Sequence, residues 1–282
     1  MYIIWDKQIN VKEFEKKNGI GSYKYKKIFS EWIEEILGDT SSIINIKIED
    51  NKKSYGTAKP VIRTDILKFQ IEVSSDLLCD IRSNKSKAIF QHEIYHCKDI
   101  LIQYRNGIID RKLLSSKIRT TYDYILDLSL KEWSEFYAVY FTAKNNGWYE
   151  TYDIELDIES MINIIDAIHK NNRTGLFMQL PSDMLYEIRY FIYDLVTMIG
   201  VYLGTENFEI IKKYTESNEK YIADYFYHIL EILKNKLSQY PAWVSKEQFI
   251  NLGKEFFSIL SYNKIYFSTE DLQDRFFFKC DI

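Results

Sequence analysis

The sequence predicts an α+β protein that is predominantly helical. Apolar residues recur at helical spacing in most segments, and the 282 residues include only 3 Pro and 10 Gly. Strand-like alternation is confined to a short stretch between residues 44 and 73. We therefore expect a small β-sheet with helices in the N-terminal half and an all-helical C-terminal half. The corresponding domains are residues 1–148 and residues 149–282, the second of unknown role.

Composition narrows the class of protein. The chain is 46% hydrophobic and 28% charged, as in globular proteins, and its net charge of −4 gives no general attraction to nucleic acid or to an anionic membrane. The 3 cysteines follow no disulfide or metal spacing, which favours a reducing compartment. Neither a signal peptide pattern nor a long apolar run is present. We expect a soluble, cytoplasmic protein with no nucleic-acid or membrane partner.

The N-terminal half combines one amphipathic helix with a sheet. A helix is expected at residues 23–37, where Gly38 provides a stop, and strand patterns follow at 44–48 and 61–73. In both strand patterns apolar residues alternate with polar ones, so one face of the sheet should be buried. An extended peptide can add to the edge of such a sheet through main-chain hydrogen bonds.

A His-Glu-Ile-Tyr-His motif occupies residues 92–96, inside a helix expected at 85–104. The i, i+4 spacing puts His92 and His96 on the same helix face one turn apart, so both imidazoles can reach one metal ion. Glu93 lies beside the first histidine, where its carboxylate can hold and deprotonate a water molecule. This is the set of groups that a zinc hydrolase requires.

A third protein ligand is needed, since catalytic zinc sites usually have three. A second long helix, expected at 117–144, carries Glu132 and Glu135 on one side, and the residues alone leave both as candidates. Asp99 is a further candidate on the same face as His92. It lies about 4.5 Å beyond His96 along the helix, which suits a hydrogen bond to an imidazole better than direct metal binding.

The motif at 92–96, followed by Glu135 in a later helix, resembles the gluzincin group of zinc metallopeptidases. The Glu-Phe-Tyr-Ala sequence that begins at Glu135 is similar in type to the Glu- and Ala-rich motif of the smaller ImmA/IrrE-like intracellular peptidases. The resemblance implies a zincin-like N-terminal half with Zn²⁺ as cofactor. It further implies that His92, His96 and Glu135 bind the metal, that Glu93 is the general base, and that the substrate is a peptide or protein.

The C-terminal half should consist of helices at 155–170, 181–203, 217–239, 245–260 and 269–278. The tyrosines of these helices, such as Tyr186 and Tyr190, are interpreted as core residues. His169 and His228 are interpreted as ordinary residues on helix faces, and Cys97 as a small buried residue.

The predicted function is zinc-dependent hydrolysis of peptide bonds, with Glu93 as general base. An alternative is a zinc-containing regulatory or protein-binding module without catalytic activity. A third hypothesis is a helical interaction protein that binds no metal. Metal content separates the third hypothesis from the other two, and peptidase activity separates the first from the second.

Overall fold

The computed structural model describes residues 1–50, 56–63, 66–110, 113, 120–147, 154–171, 178–243, 245–267 and 277–280. It confirms an α+β chain that is mostly helical and has a small four-stranded sheet. The chain forms two compact units. The first comprises Met1–Ser115 and Tyr137–Tyr149, and the second comprises Ser116–Phe136 and Glu150–Ile282.

Among the described residues of the first unit, four strands and four helices lie entirely within it: β1 (Tyr2–Trp5), α1 (Val11–Asn18), α2 (Ser22–Leu37), β2 (Ile43–Glu49), β3 (Gly56–Arg63), β4 (Ile66–Ser74), α3 (Ser75–Cys79) and α4 (Asn84–Arg105). Helix α5 (Thr121–Asn146) is continuous and has residues in both units. Helices α2 and α4 begin and end within one residue of the predicted bounds.

The second unit continues after α5 with α6 (Ile154–Asn171), β5 (Met178–Gln179), α7 (Ser182–Thr205), a 3₁₀ turn (Phe208–Ile210), α8 (Lys212–Thr215), α9 (Lys220–Gln239), α10 (Lys246–Phe256), α11 (Ser258–Tyr262), β6 (Ile265–Phe267) and β7 (Phe277–Cys280). Helices predicted at 155–170, 181–203 and 217–239 are confirmed, and α10 and α11 divide the one predicted at 245–260. Among the described helices, none is long and apolar enough to cross a membrane.

The sheet of the first unit has the strand order β1-β2-β4-β3. Strands β1, β2 and β4 are parallel, and β3 runs antiparallel to β4 at one edge. The extended region predicted at 61–73 therefore belongs to two strands. Pro60 lies inside β3 because an edge strand tolerates a residue without an N–H group. One face of the sheet is apolar and buried, formed by Ile46, Ile48, Phe69, Ile71 and Val73.

An aromatic contact joins α2 to α4 in the core of the first unit. Phe29 and Phe90 are both 0% exposed, and their rings stack with centroids 4.5 Å apart. Helix α2 ends at Gly38, whose φ of 83° lies in the left-handed region that glycine adopts without strain. The packing of α2 thus holds the middle of α4 against the core.

The prediction of an all-helical C-terminal half is wrong. Strands β5, β7 and β6 form a second, antiparallel sheet in that order. Of the helix predicted at 269–278, residues 269–276 lie outside the described residues, and Phe277 and Phe278 belong to β7. The segments Ile-Tyr-Phe and Phe-Phe-Lys-Cys are rich in β-forming residues. Strands of three or four residues are too short to show an alternating pattern, and their pairing depends on residues distant in sequence.

The interpretation of all the tyrosine stripes as core is also wrong in part. Tyr225 is 0% exposed, as expected, whereas Tyr186 and Tyr190 are 63% and 46% exposed. Their rings stack on each other along the surface of α7, with centroids 6.3 Å apart. Helical spacing of aromatic residues identifies a shared face but not whether another element covers it.

Replacing Phe90 by Ala is expected to lower the free energy of unfolding by about 3–5 kcal/mol, because it removes a fully buried ring and leaves a cavity beneath α4. Urea denaturation measures this loss. Tyr23→Ala is the control, since Tyr23 is 79% exposed and its removal should change stability by no more than about 0.5 kcal/mol. Equal effects of the two substitutions would contradict the described packing.

Candidate metal centre

Helix α4 carries the His-Glu-Ile-Tyr-His motif and is fixed at several points. Ser83 caps it by accepting a hydrogen bond from the Ser86 N–H at 3.1 Å. Gln91 donates to Glu35 of α2 at 2.6 Å and accepts from Asn146 at 3.1 Å. These bonds set the rotation of α4 about its axis, and hence the direction in which its histidines point.

His92 and His96 bring their imidazoles together on the half-buried side of α4. Their Nε2 atoms are 3.0 Å apart, and the rings meet edge to face with centroids separated by 4.7 Å. Two nitrogens that bind one zinc at 2.0–2.1 Å in a tetrahedron are separated by roughly 3.3 Å. The spacing is therefore close to that of two ligands of one metal ion.

Glu135 completes this group. The ligand atoms of His92, His96 and Glu135 all lie within 4.8 Å of one another, and each side chain is partly exposed. Glu135 belongs to the continuous helix α5, two residues before the part of that helix that packs in the first unit. The three residues are thus close enough to hold a metal ion. Among the described residues, neither Glu132 nor Asp99 belongs to a group of this kind.

Glu93 is 9% exposed and faces the edge strand β3. A Cβ atom added to Gly56 of β3 would lie 2.7 Å from Glu93 Cγ and 2.8 Å from its Oε1. Glycine at this position therefore makes room for the carboxylate next to the histidines. The motif identifies Glu93 from the sequence alone, whereas the close approach of Gly56 to it is a result of tertiary packing.

Asp99 is fully buried one turn beyond His96. Its Oδ2 accepts a hydrogen bond from Gln103 Nε2 at 2.5 Å. Burial is the main cause of the raised pKa of Tyr137, and the charge of Asp99 is the next. Asp99 thus acts electrostatically on Tyr137, which follows Glu135 by two residues in α5.

Glu132, the other candidate on α5, has a different environment. It is 2% exposed, and its Oε1 lies 3.6 Å from Arg189 Nε of α7. Burial raises its pKa to about 8, against the lowering effect of Arg189 and with a further raising effect of Glu135. Glu132 is therefore directed towards Arg189 inside the second unit. Nothing in the sequence alone indicates that Arg189 lies beside Glu132.

The other histidines and Cys97 lie outside this group. His228 Nε2 contacts Glu255 Oε2 at 2.8 Å, and His169 is exposed in the last turn of α6. Cys97 is fully buried, and burial raises the pKa of its thiol well above the usual range. A neutral, buried thiol is a poor metal ligand, which agrees with the interpretation of Cys97 as a packing residue.

Comparison with the models of known protein families, with curated proteins and with solved structures finds nothing that matches this chain. Two imidazole nitrogens and one carboxylate converge, and Glu93 directly follows the first histidine in the chain. Such a set can bind a divalent metal and move a proton next to it.

Gly56→Ala is expected to lower the free energy of unfolding by about 1–3 kcal/mol, because the new methyl group overlaps the Glu93 side chain. Urea denaturation of the single variants Gly56→Ala and Glu93→Ala and of the double variant measures the coupling between them. The double variant should recover most of the Gly56→Ala loss, with a coupling of at least about 1 kcal/mol.

Gly21→Ala is the control for that cycle, since nothing lies within 4 Å of an added Cβ and its φ is −82°. Additive effects of Gly56→Ala and Glu93→Ala would contradict the close approach of β3 to Glu93.

Glu135→Gln is expected to weaken Zn²⁺ binding by at least about 100-fold, since a direct ligand should matter at least as much as the outer groups that orient ligands. Elemental analysis after equilibrium dialysis measures the bound metal. Glu132→Gln, three residues earlier and paired with Arg189, is the matched control and should retain the metal. Loss of zinc in the Glu132 variant with retention in the Glu135 variant would reverse the assignment.

Proposed function

We propose that this chain is a zinc-dependent peptidase with a zincin-like first half, in which His92, His96 and Glu135 bind Zn²⁺ and Glu93 is the general base. The observation that carries the proposal is the convergence of the three ligand atoms within 4.8 Å, directly beside the Glu93 position. The pattern of residues at 92–96 and 135 points to the same chemistry.

The donor set fits zinc better than the other common divalent metals. Two imidazoles and one carboxylate are a frequent combination at catalytic zinc sites, whereas magnesium and calcium prefer oxygen donors alone. Three protein ligands leave a fourth position for water or substrate. The partial exposure of all three side chains is consistent with access from solvent.

When bound, zinc would lower the pKa of a water molecule towards about 7 and polarise the carbonyl group of the substrate. Glu93 supplies the proton transfers. Its carboxylate takes a proton from the attacking water and delivers it to the nitrogen of the leaving amine, so that water adds across the peptide bond and the carboxylate is regenerated. Confinement by Gly56 limits the rotamers that Glu93 can adopt, which favours a fixed position of the base.

A peptide substrate is supported by the position of β3. This strand is at an edge of the sheet among the described strands, and it packs against α4 beside Glu93. An extended peptide that pairs with β3 through main-chain hydrogen bonds would pass the candidate metal centre. Pro60 contributes no N–H group, which limits full pairing to the part of β3 that precedes it.

Glu93→Gln is expected to reduce peptide cleavage by at least about 100-fold, because the amide cannot accept the proton from water. Zinc content should remain that of the wild type, since Glu93 is not among the three ligands. Mass spectrometry of a mixed peptide library incubated with each protein measures the products. Glu31→Gln, on the exposed surface of α2, is the control and should cleave normally.

Two outcomes would contradict the proposal in different ways. Undiminished cleavage by the Glu93→Gln variant would exclude Glu93 as the base. Zinc bound by the wild type without cleavage of any peptide would instead favour the alternative of a regulatory or protein-binding module, in which the same residues have a structural role.

A further inference from the structure

Tyr95 lies inside the His-Glu-Ile-Tyr-His motif, and its side chain packs on α5. It is 6% exposed, and its ring stacks on that of Phe141 with centroids 5.3 Å apart. A second ring of α5, that of Tyr137, meets it edge to face at 6.4 Å. Since Tyr137 and Phe141 are four residues apart, they lie on the same side of α5, and Tyr95 packs across both turns.

A hydrogen bond extends this contact by one further turn of α5. Asn145 Nδ2 donates to the Tyr95 hydroxyl oxygen at 2.6 Å. Asn145 follows Phe141 by four residues and is itself exposed, so its side chain reaches the buried tyrosine from the surface. The next residue, Asn146, donates to Gln91 of α4 at 3.1 Å. The last turn of α5 is thus joined to α4 by two hydrogen bonds.

The register of α5 on α4 decides whether Glu135 can bind the same metal as the histidines. Glu135 precedes Tyr137 by two residues on the same continuous helix. A slip of α5 by one residue along α4 would shift Glu135 by about 1.5 Å and turn it by about 100° around the helix axis. Metal–ligand distances tolerate a deviation of only about 0.2 Å. Such a slip would therefore remove Glu135 from the ligand group.

The hydrogen bond defines this register more sharply than the ring contacts do. Aromatic pairs are favourable over centroid distances of about 4.5–7 Å, a range that is wider than a slip of one residue. A hydrogen bond requires a donor–acceptor distance of about 2.7–3.2 Å and a favourable angle, a range that is much narrower than that slip. Packing of the rings brings the helices together, and the bond from Asn145 to Tyr95 selects one register.

We propose that Tyr95 and Asn145 are positioning residues of the metal centre, whose hydrogen bond sets the register of α5 so that Glu135 reaches the metal. This inference rests on the proposed function, because it takes His92, His96 and Glu135 as the ligands. Both residues act through α5 and not by contact with the metal. Since the hydrogen bond and the third ligand belong to one helix, zinc binding and the docking of that helix stabilise each other.

Tyr95→Phe and Asn145→Leu each remove this hydrogen bond from a chain that should still fold, because the first keeps the buried ring and the second changes an exposed residue. Each is expected to raise the Kd for Zn²⁺ by about 10-fold, as the loss of outer groups that orient ligands does. Equilibrium dialysis of the folded full-length proteins measures Kd. The double variant should show about the same increase as either single variant, since one bond is lost in all three.

Two further variants serve as rescue and control. In Asn145→Asp the carboxylate can accept a hydrogen bond from the Tyr95 hydroxyl, so the contact forms again with donor and acceptor exchanged, and Kd should stay close to that of the wild type. Tyr140→Phe is the matched control, since Lys144 Nζ donates to the Tyr140 hydroxyl at 3.0 Å within α5. This change leaves the bond between Asn145 and Tyr95 in place and should leave Kd unchanged.

Hydrogen exchange measures the reciprocal effect. Zinc should slow the exchange of the backbone amides of residues 137–146 in the wild type, because it fixes α5 through Glu135. Glu135→Gln should lose this protection. Equal exchange rates of the wild type with and without bound zinc would contradict the coupling.

The outcomes separate this inference from the proposed function. An unchanged Kd in Tyr95→Phe and Asn145→Leu, with a lower free energy of unfolding, would overturn the positioning role and leave the proposed function intact, because the contact would then be structural only. Additive increases in the double variant would exclude action through one shared bond. Absence of zinc binding by the wild type would overturn the proposed function and this inference together.

Discussion

The 3.0 Å separation of two imidazole nitrogens on adjacent turns of α4 is the constraint on which the candidate site depends. Two neutral imidazoles can share a hydrogen bond at this distance, or both can direct lone pairs at one cation. Glu135 favours the second arrangement, since a carboxylate oxygen within 4.8 Å of both nitrogens adds a negative charge where a metal ion would sit. The hydrogen bonds of Gln91 to Glu35 and Asn146 maintain the orientation of α4 that this geometry requires.

The edge strand β3 contributes to the site through its backbone. Because Gly56 has no side chain, β3 can approach α4 closely enough to confine Glu93, and Pro60 is tolerated because the strand has only one described neighbour. The same closeness would place a paired peptide beside the carboxylate. In the proposed peptidase, the orientation of the substrate and the confinement of Glu93 would thus depend on the same few residues of one strand.

Four buried acidic residues show that carboxyl groups of the same chemistry have different roles in different environments. Asp99 accepts a hydrogen bond from Gln103, and Glu132 lies beside Arg189 with a pKa of about 8. Glu93 faces Gly56 next to the histidines, and Asp194 is buried beside Asp157. Burial alone raises the pKa of a carboxyl group, so the role of each depends on which donor, cation or second acid is its neighbour.

The sequence by itself predicted most of the described helices and placed the His-Glu-Ile-Tyr-His motif on one of them, because both depend on local spacing. The i, i+4 histidines and the stop at Gly38 act within a few residues of the chain, and the structure places them as expected. The Ser83 cap of α4 is equally local. Tertiary structure decided the features that depend on residues distant in sequence. These are the proximity of Glu135 to the histidines, the pairing of Glu132 with Arg189, the clearance at Gly56, the exposure of Tyr186 and the strands of the second sheet.

Glu132 and Glu135 occupy nearly equivalent positions on the same helix. Only packing against other elements places an arginine beside Glu132 and two imidazoles beside Glu135. Local periodicity specifies which residues share one face of a helix or strand. Which other element packs against that face is decided by how the whole chain folds to bury its apolar residues.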